Sequence, residues 1–275
     1  MNVFKLEFKA NFKGLLLWLG ILSLVLVLFM SLFPTMGSDA MKDLIQTKLN
    51  ALPQDLKEAV GLSDVPDFTK ILDYYSYIFQ YIAVAGGIFA ALLGAQSLIK
   101  EESDGTIEYL YAQPVTRTQI IAEKLLAAAA VYLLLNVGIS IVSGILFAVL
   151  KPQGTELVTV MADFKQLLSG TMVGGFVFLC LGLLLSVVLK NSRQATGAAV
   201  GLVFITYVLG IFSKSFAEYA EWVKNLVYLS PLDYAMPFEV LRHGFNTGRM
   251  LTGFIVIVAS VTLAFCLYRR KDLKT

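Results

Sequence analysis

Residues 100–126 read KEESDGTIEYLYAQPVTRTQIIAEKLL, and they form a long charged stretch with an uncharged apolar run close on each side. Each of those flanking runs exceeds the roughly 20 residues that a helix needs to cross a bilayer. The stretch therefore predicts a polar connection between two membrane-spanning helices, and the rest of the chain is interpreted outward from it.

Local signals divide this connection into two helical pieces. Ser103 or Asp104 can cap a short amphipathic helix, which Pro114 ends because proline lacks an amide hydrogen and its ring clashes with the preceding turn. Thr116 and Gln119 have the spacing of a capping box and predict the start of the next helix, which continues into the membrane. The connection is thus predicted to be an amphipathic elbow at the membrane surface, with an apolar face that needs a partner.

The composition belongs to a polytopic membrane protein. Of 275 residues, 57% are hydrophobic and 15% are charged, which is too apolar for a soluble domain of this length. Cys180 and Cys266 both lie inside apolar runs, so they indicate neither a disulfide framework nor a metal site. The sequence has no Gly-x-x-x-x-Gly-Lys-Ser/Thr phosphate loop and no nucleic-acid-binding motif, so nucleotide must be bound by another polypeptide if ATP is used.

Six runs reach bilayer length at a rise of about 1.5 Å per residue. We predict an all-α, polytopic chain with one transmembrane domain over residues 1–275. The predicted spans are 14–33, 74–99, 125–150, 167–189, 195–212 and 251–268. An even number of spans places both termini on one side of the cell membrane.

Lysine and arginine indicate which side that is, because these residues concentrate on the cytoplasmic face. Twelve of the 22 basic residues lie in a minor part of the chain outside the spans, namely in segments 1–13, 100–124, 190–194 and 269–275. We therefore expect both termini and the elbow to be cytoplasmic.

The six predicted spans contain no aspartate, glutamate, lysine, arginine or histidine. Charged groups inside a membrane usually mark proton relays, ion pathways or voltage sensors, so their absence argues against a proton-coupled transporter or an ion pump. The single histidine, His243, falls in an external loop, which excludes paired haem ligation within one chain. The polar residues Gln80 and Asn136 either bond neighbouring helices or line a substrate route, and the sequence leaves both readings open.

Glycines at four-residue spacing, Gly170 with Gly174 and Gly197 with Gly201, allow helices to approach closely within one chain or between two. An aromatic stripe beside a basic stripe also predicts an N-terminal interfacial helix at an anionic leaflet. Its residues are Phe4, Lys5, Phe8, Lys9, Phe12 and Lys13. The external loops are predicted to be helical over 40–61 and 216–227, and the second of these either dips into the outer leaflet or forms a surface hairpin.

These features together resemble the membrane subunits of type-2 ATP-binding-cassette (ABC) transporters, the six-span exporter permeases. The resemblance covers essentially the whole chain and is strongest in the elbow. It rests on the N-terminal start up to Leu16-Leu17-Trp18, residues 52–61, Glu101-Glu102-x-x-Gly105-Thr106-Ile107-Glu108-Tyr109-Leu110, Gln113-Pro114-Val115-Thr116-Arg117, Lys124-Leu125, Ser230-Pro231, and residues 268–273.

The resemblance implies that residues 101–124, here called the coupling segment, dock into a separate ATPase subunit. It assigns that role to Glu101, Glu102, Asp104, Gly105, Thr106, Ile107, Glu108, Tyr109, Leu110, Pro114 and Arg117. Glu101 and Glu102 either contact the ATPase or are solvated charges that end the second span. The implied complex has two ATPase subunits, which bind ATP and magnesium, and a second permease chain of the same or a similar kind. The chain itself would hold no cofactor and perform no covalent chemistry, and its uncharged spans suit an amphipathic or hydrophobic cargo such as an antibiotic, a peptide or a lipid-like molecule.

Two other classes of membrane protein share part of this pattern. An intramembrane protease of the CAAX type carries a Glu-Glu-x-x-x-Arg motif, but here Thr106 stands at the arginine position and the spans contain no histidine. A non-transporting membrane anchor or sensor with the same fold is the other alternative, which an ATPase gene beside this one would argue against.

Overall fold

The structure, a computed structural model, describes residues 3–36, 38, 43, 47, 67–106, 115–151, 156–216 and 220–271. These residues form helices and connections and contain no strand. Six of the helices are long and apolar enough to cross a membrane, which confirms the predicted all-α, six-span class. The α-helices are α1 Val3–Met30, α2 Phe33–Met36, α3 Ile71–Gln96, α4 Ile99–Ser103, α5 Arg117–Leu150, α6 Leu157–Val188, α7 Ser192–Ser215, α8 Glu221–Lys224, α9 Pro237–His243 and α10 Thr247–Arg270.

Side-chain caps mark the starts of α5, α7 and α10. The Thr116 hydroxyl accepts a hydrogen bond from the backbone N–H of Gln119 at 3.2 Å, so α5 starts where its capping signal predicts. The Asn191 side chain accepts from the N–H of Gln194 at 2.8 Å and starts α7 after a short turn from α6. Each cap satisfies a backbone donor that the first turn of a helix leaves without a partner.

Helices α3 and α6 form the centre of the bundle. They pack along each other, while α7 packs on α3, α10 packs on α6, and α1 packs on α5. The two central helices cross at Gly94 and Gly182, where each glycine faces the backbone of the other helix. An aromatic cluster fills the space between the first turns of α3, the last turns of α5 and the first turns of α6. Its members are Tyr75, Phe79, Phe147 and Phe164.

The bundle has two ends that differ in what they hold. The proximal end carries both ends of the described chain, the end of α3, the start of α5 and the turn that joins α6 to α7. The distal end carries the ends of α1 and α5, the starts of α3 and α6, and the segment 220–246. At the proximal end, the backbone N–H of Phe4 donates to the Glu123 carboxylate at 3.0 Å, which fastens the start of α1 to α5.

The N-terminal aromatic and basic stripes belong to the same helix as the first span. Helix α1 is continuous over 28 residues, so the stripes form its first turns and there is no break that would let a separate helix lie along the membrane. The rings of Phe4 and Phe8 stack at 5.9 Å, and those of Phe8 and Phe12 lie at 6.0 Å. Lys5, Lys9 and Lys13 are exposed beside them.

The predicted helix over 216–227 forms two shorter pieces. Helix α8 gives way at Asn225 to a 3-10 helix, Asn225–Leu229, and a second 3-10 helix follows at Pro231–Ala235. Val223 and Val227 are buried, in keeping with their shared apolar face. The segment packs on α6, α7 and α10 and does not form an isolated hairpin. Of the helices expected over 40–61, the structure describes Asp43 and Thr47, both helical, and the rest lies outside the described residues.

Candidate functional site

A buried lysine organises the proximal end of the bundle. The ammonium group of Lys124, in α5, is 1% exposed. It lies 3.4 Å from the carboxylate of Glu7 in α1, and it forms a short ion pair with Glu101 in α4. It also donates to the carbonyl oxygen of Ser97 at 2.5 Å. Because a charge buried in this way needs partners, these contacts tie the coupling segment to both α1 and α5.

The C-terminal helix is fastened to the same segment by two further contacts. The ammonium of Lys271 lies 2.8 Å from the Glu102 carboxylate. The Arg117 guanidinium donates to the carbonyl oxygens of Lys271 at 2.7 Å and of Tyr268 at 3.4 Å. A cation at a helix C-terminus satisfies carbonyl groups that have no partner in the helix. Both chain ends are therefore bound to the coupling segment.

Apolar packing lies beneath these charges. Val3 of α1, Leu98 before α4, Ile120 and Ile121 of α5, and Tyr268 of α10 belong to one buried cluster. The cluster also includes Leu183 and Val187 of α6, so the ion pairs lie over a small core to which α1, α5, α6 and α10 contribute. Burial of this kind supplies the adhesion, while the charged contacts fix which side chains meet.

A polar contact joins the end of α3 to the start of α7. The Gln96 amide donates to the carbonyl of Ser192 at 3.1 Å and accepts from the Ser192 hydroxyl at 2.6 Å. The backbone N–H of Ser192 also points to the Ser103 hydroxyl at 3.4 Å. The turn between α6 and α7 is therefore held against the same region of the chain as the coupling segment.

The exposed part of the coupling segment begins where α4 ends. Asp104, Gly105 and Thr106 are all exposed. Gly105 has a φ of 70°, which is readily accessible to glycine, and the N–H of Thr106 returns to the carbonyl of Glu101 at 2.9 Å. The remaining residues predicted to dock, Ile107, Glu108, Tyr109, Leu110 and Pro114, lie outside the described residues.

The two polar residues suggested for a substrate route have different surroundings. Asn136 is buried and donates to the carbonyl of Tyr132 at 2.8 Å, so it forms a hydrogen bond within α5. The cavity beside it measures only about 10 Å³, which is room for about one water molecule. Gln80 is half-buried on α3 and does not line this cavity.

A larger pocket opens between α1 and α3 towards the distal end. It has a volume of about 360 Å³ and is lined by Val25, Phe29, Tyr77, Ile78 and Tyr81. The rings of Tyr77 and Tyr81 meet edge to face at 5.8 Å. The size lies within the range of small-molecule pockets, and its lining is apolar with two phenolic groups. Gln80 does not line this pocket either.

Comparison with known proteins agrees with this architecture. Residues 1–273 match the family described as "ABC-2 family transporter protein". The chain belongs to this family. Comparison with curated proteins gives no match. As an ABC-2 family member with six membrane-length helices, the protein is a multi-pass membrane permease subunit of a transporter, and the resemblance of the sequence to this class is confirmed.

The sequence reasoning missed several residues of the ABC-2 permease's proximal end. It did not predict that Glu101 and Glu102 pair with Lys124 and Lys271, or that Glu7 also contacts Lys124. A weak signal existed for Lys124, because it lies directly beside an apolar run that begins at Leu125.

Among the described residues, no group of three or more histidine, cysteine, aspartate or glutamate side chains could hold a metal ion.

Proposed function

We propose that this ABC-2 permease exports an amphipathic or hydrophobic compound, driven by ATP that a separate ATPase subunit binds with magnesium. The observation that carries the proposal is the attachment of the coupling segment to α1, α5 and α10 through Lys124, Glu102 and Arg117. A displacement applied to this segment would reach three membrane-length helices at once. That is what a subunit needs when its energy arrives from a partner protein.

In this proposal the ATPase contacts the exposed part of the coupling segment. Asp104 and Thr106 are available there, and the residues that follow, up to Pro114, complete the docking surface. Glu101 and Glu102 serve inside the permease, because their carboxylates already pair with Lys124 and Lys271. The main role of this acidic pair is therefore proposed to be anchoring of the segment that docks. Contact with the ATPase and simple solvation, the two roles considered from the sequence, are secondary in this proposal.

The proposed complex contains two permease chains and two ATPase subunits, with the proximal end in the cytoplasm. The basic residues of the termini support this orientation. The proposal of a second copy is supported by Gly197 and Gly201 of α7, where an added Cβ would meet nothing within 4 Å. This glycine face is not used for packing within the described chain and can approach another helix closely.

The cargo is proposed to enter the pocket between α1 and α3. An amphipathic molecule suits an apolar lining with a few phenolic groups, and the pocket opens to the side of the bundle where lipid-soluble compounds would arrive. Gln80 lies on the same helix as Tyr77 and Tyr81, so it remains a candidate for a route that continues from the pocket. Asn136 is less suitable because of its bond within α5 and its small cavity.

The test is reconstitution of the tagged permease with the ATPase that co-purifies from its native membranes. Inside-out vesicles should accumulate an amphipathic dye when ATP is supplied, and should continue to do so when an uncoupler collapses the proton gradient. Accumulation should stop when the catalytic carboxylate of the ATPase is neutralised. Uptake driven by a pH gradient alone, without nucleotide or a second subunit, would refute the proposal.

The docking site is tested by charge reversal at its exposed edge. Asp104→Lys should weaken co-purification of the ATPase and reduce transport, while Glu156→Lys, an equivalent change on an exposed residue before α6 at the distal end, should alter neither. A non-transporting anchor or sensor predicts a different result. Whether or not an ATPase co-purifies with the protein, no vesicle would then accumulate dye when ATP is supplied.

A further inference from the structure

A four-residue ion cluster lies at the distal end, far from the coupling segment. The ammonium of Lys214, near the end of α7, lies 2.6 Å from the carboxylate of Asp233 and 2.6 Å from that of Glu239. The Arg249 guanidinium, at the start of α10, lies 2.7 Å from Glu239 and donates to the carbonyl of Asp233 at 3.1 Å. Two cations and two carboxylates therefore balance in one site.

The cluster fastens one segment to both of the helices that flank it. Asp233 and Glu239 belong to the segment 220–246, here called the plug, whereas Lys214 and Arg249 belong to the membrane-length helices on either side of it. The Ser213 hydroxyl adds a bond to the carbonyl of Val223 at 2.7 Å. The plug is thus attached by charge at its middle and by a hydrogen bond near its beginning.

Glycines in three helices let the plug sink into the bundle. An added Cβ at Gly174 of α6 would lie 2.9 Å from the carbonyl oxygen of Pro231, and one at Gly253 of α10 would lie 3.0 Å from the Tyr234 ring. At Gly210 of α7 it would overlap the Asp233 carboxylate. Each contact needs the space that a missing side chain provides.

The depth of these contacts places the plug below the distal rim of the bundle. Gly174 lies seven residues inside the apolar run that begins at position 167, which is about 10 Å along the helix. Ser230 is fully buried at this level, and its hydroxyl has no hydrogen-bond partner. Asp233 is 3% exposed. A charged carboxylate and an unpaired hydroxyl are thus held beneath the rim by the cluster.

Ion pairs differ from apolar packing in how they respond to opening. The side chain of Asp233 is 4% exposed, whereas those of Lys214 and Glu239 are 36% and 35% exposed. Removing charges from water even in part is costly, so such ion pairs add little net stability compared with apolar side chains of the same volume. Once separated and exposed, however, each charge is again stabilised by water. Burial disfavours the charged form of Glu239, but the positive charges of Lys214 and Arg249 outweigh it and keep the pKa of Glu239 below its usual range. The cluster stays charged and can specify one closed arrangement without making it permanent.

We propose that the plug is a movable closure of the distal end, and that Lys214, bridging Asp233 and Glu239, is the latch that holds it shut. The direction of its use, as the outlet for cargo, rests on the proposed function. The closure of the distal end does not rest on the proposed function, because the same contacts would close the bundle whatever the protein transports. Export would then require the cluster to separate, so that the plug leaves the space between α6, α7 and α10.

The experiment measures how fast a buried reporter on the plug reacts with a water-soluble maleimide. Full-length protein with Cys180 and Cys266 replaced by alanine is placed in nanodiscs, where the reagent reaches both faces. Ser230→Cys should react slowly in the otherwise unchanged protein. Lys214→Met should speed that reaction about tenfold or more, since loss of the latch raises the open population. Lys214→Arg, which keeps the charge, should leave the rate close to the original.

A second reporter separates opening of the plug from general unfolding. Ser143, in α5, is also fully buried and hydrogen-bonds to the Tyr75 hydroxyl at 2.8 Å. Ser143→Cys should stay unreactive with Lys214→Met. If both reporters speed up together, the lysine stabilises the whole bundle and the latch is refuted. If Ser230→Cys does not change, the plug is a fixed cap and the proposal also fails.

Another variant repeats the test from the opposite side of the cluster. Glu239→Gln removes the carboxylate that Lys214 and Arg249 share, and it should raise the reactivity of Ser230→Cys in the same way. An unchanged rate with this variant would contradict a shared latch. The measurement needs neither nucleotide nor an ATPase, so its outcome is independent of whether ATP-driven export is observed.

Discussion

Gly94 and Gly182 lie at the crossing of α3 and α6, each against the other helix's backbone. A Cβ at Gly94 would overlap the carbonyl oxygen of Leu179 and lie 2.7 Å from the N atom of Leu183. A Cβ at Gly182 would overlap the carbonyl of Ala91. In a membrane, where lipid is as apolar as the side chains, such close backbone approach is a main source of helix association.

Gly94→Ala or Gly182→Ala should therefore destabilise the bundle by about 1–3 kcal/mol, because the two helices must separate to admit the methyl group. Thermal unfolding of the purified protein in detergent would measure this as a lower Tm. The matched control is Gly20→Ala in α1, where the new methyl group meets nothing within 4 Å. That change should leave the Tm unchanged or raise it, since alanine favours helix; an equal loss at Gly20 would contradict the crossing as the cause.

Lys124→Met should be among the most disruptive single changes at the proximal end. It leaves the carboxylates of Glu7 and Glu101 without their shared cation, and breaking a buried ion pair in this way costs about 3–5 kcal/mol. Unfolding measurements on the double variant with Glu101→Gln should recover part of that loss. Lys100→Met, which removes an exposed lysine from the same region, should have little effect. Full additivity in the double variant would show that the pair is not coupled.

Cysteine labelling should establish the proposed orientation. In intact cells, Ser103→Cys at the proximal end should be protected from a membrane-impermeant thiol reagent, whereas Trp222→Cys at the distal end should react, because the side chain of Trp222 is 66% exposed. Permeabilised cells should label both. Rapid labelling of Ser103→Cys in sealed cells would reverse the assignment of the proximal end to the cytoplasm.

The distal cluster should make stability depend on pH only in acid. The pKa of Glu239 is lowered from 4.5, so its stabilising charge is fully present above that value and is lost as the pH falls through the lower folded-state pKa. The Tm advantage of the unchanged protein over Glu239→Gln should be constant from pH 7 to 5 and should shrink below about pH 4.5. A constant difference down to pH 3 would contradict the ion pairing. The charged groups around this site are Lys214, Asp233, Arg249, Arg242 and Asp73.

Sequence alone predicted what depends on neighbouring residues along the chain. The six membrane-length helices follow from runs of apolar residues, and the start of α5 follows from Thr116 and Gln119, whose hydrogen bond spans three positions. Both signals depend only on residues close together in the sequence, so they do not require knowledge of the tertiary packing. The helix expected over 216–227 differs in detail, because the structure has the short helix Glu221–Lys224 followed by the 3-10 helix Asn225–Leu229, and both pack on α7.

Long-range pairings were beyond the sequence. Lys124 meets Glu7, which lies 117 positions away, and that contact exists only because α1 packs on α5. The close approach of α3 and α6 was not predicted for the same reason. Gly94 and Gly182 belong to different helices, whereas the four-residue glycine spacing is a pattern within one helix. The pairing of Lys214 with Asp233 was not predicted, because nothing local in the sequence indicates that Asp233 is buried.

The length of α5 has a mechanical consequence. Its 34 residues extend for about 51 Å, whereas the hydrocarbon interior of a bilayer is about 30 Å thick. An upright α5 therefore extends beyond the hydrocarbon interior by about 20 Å in total, and its first turns, which belong to the coupling segment, can stand outside that interior. In the proposed complex, a sideways force on these turns would tilt the part of α5 that lies within the bilayer.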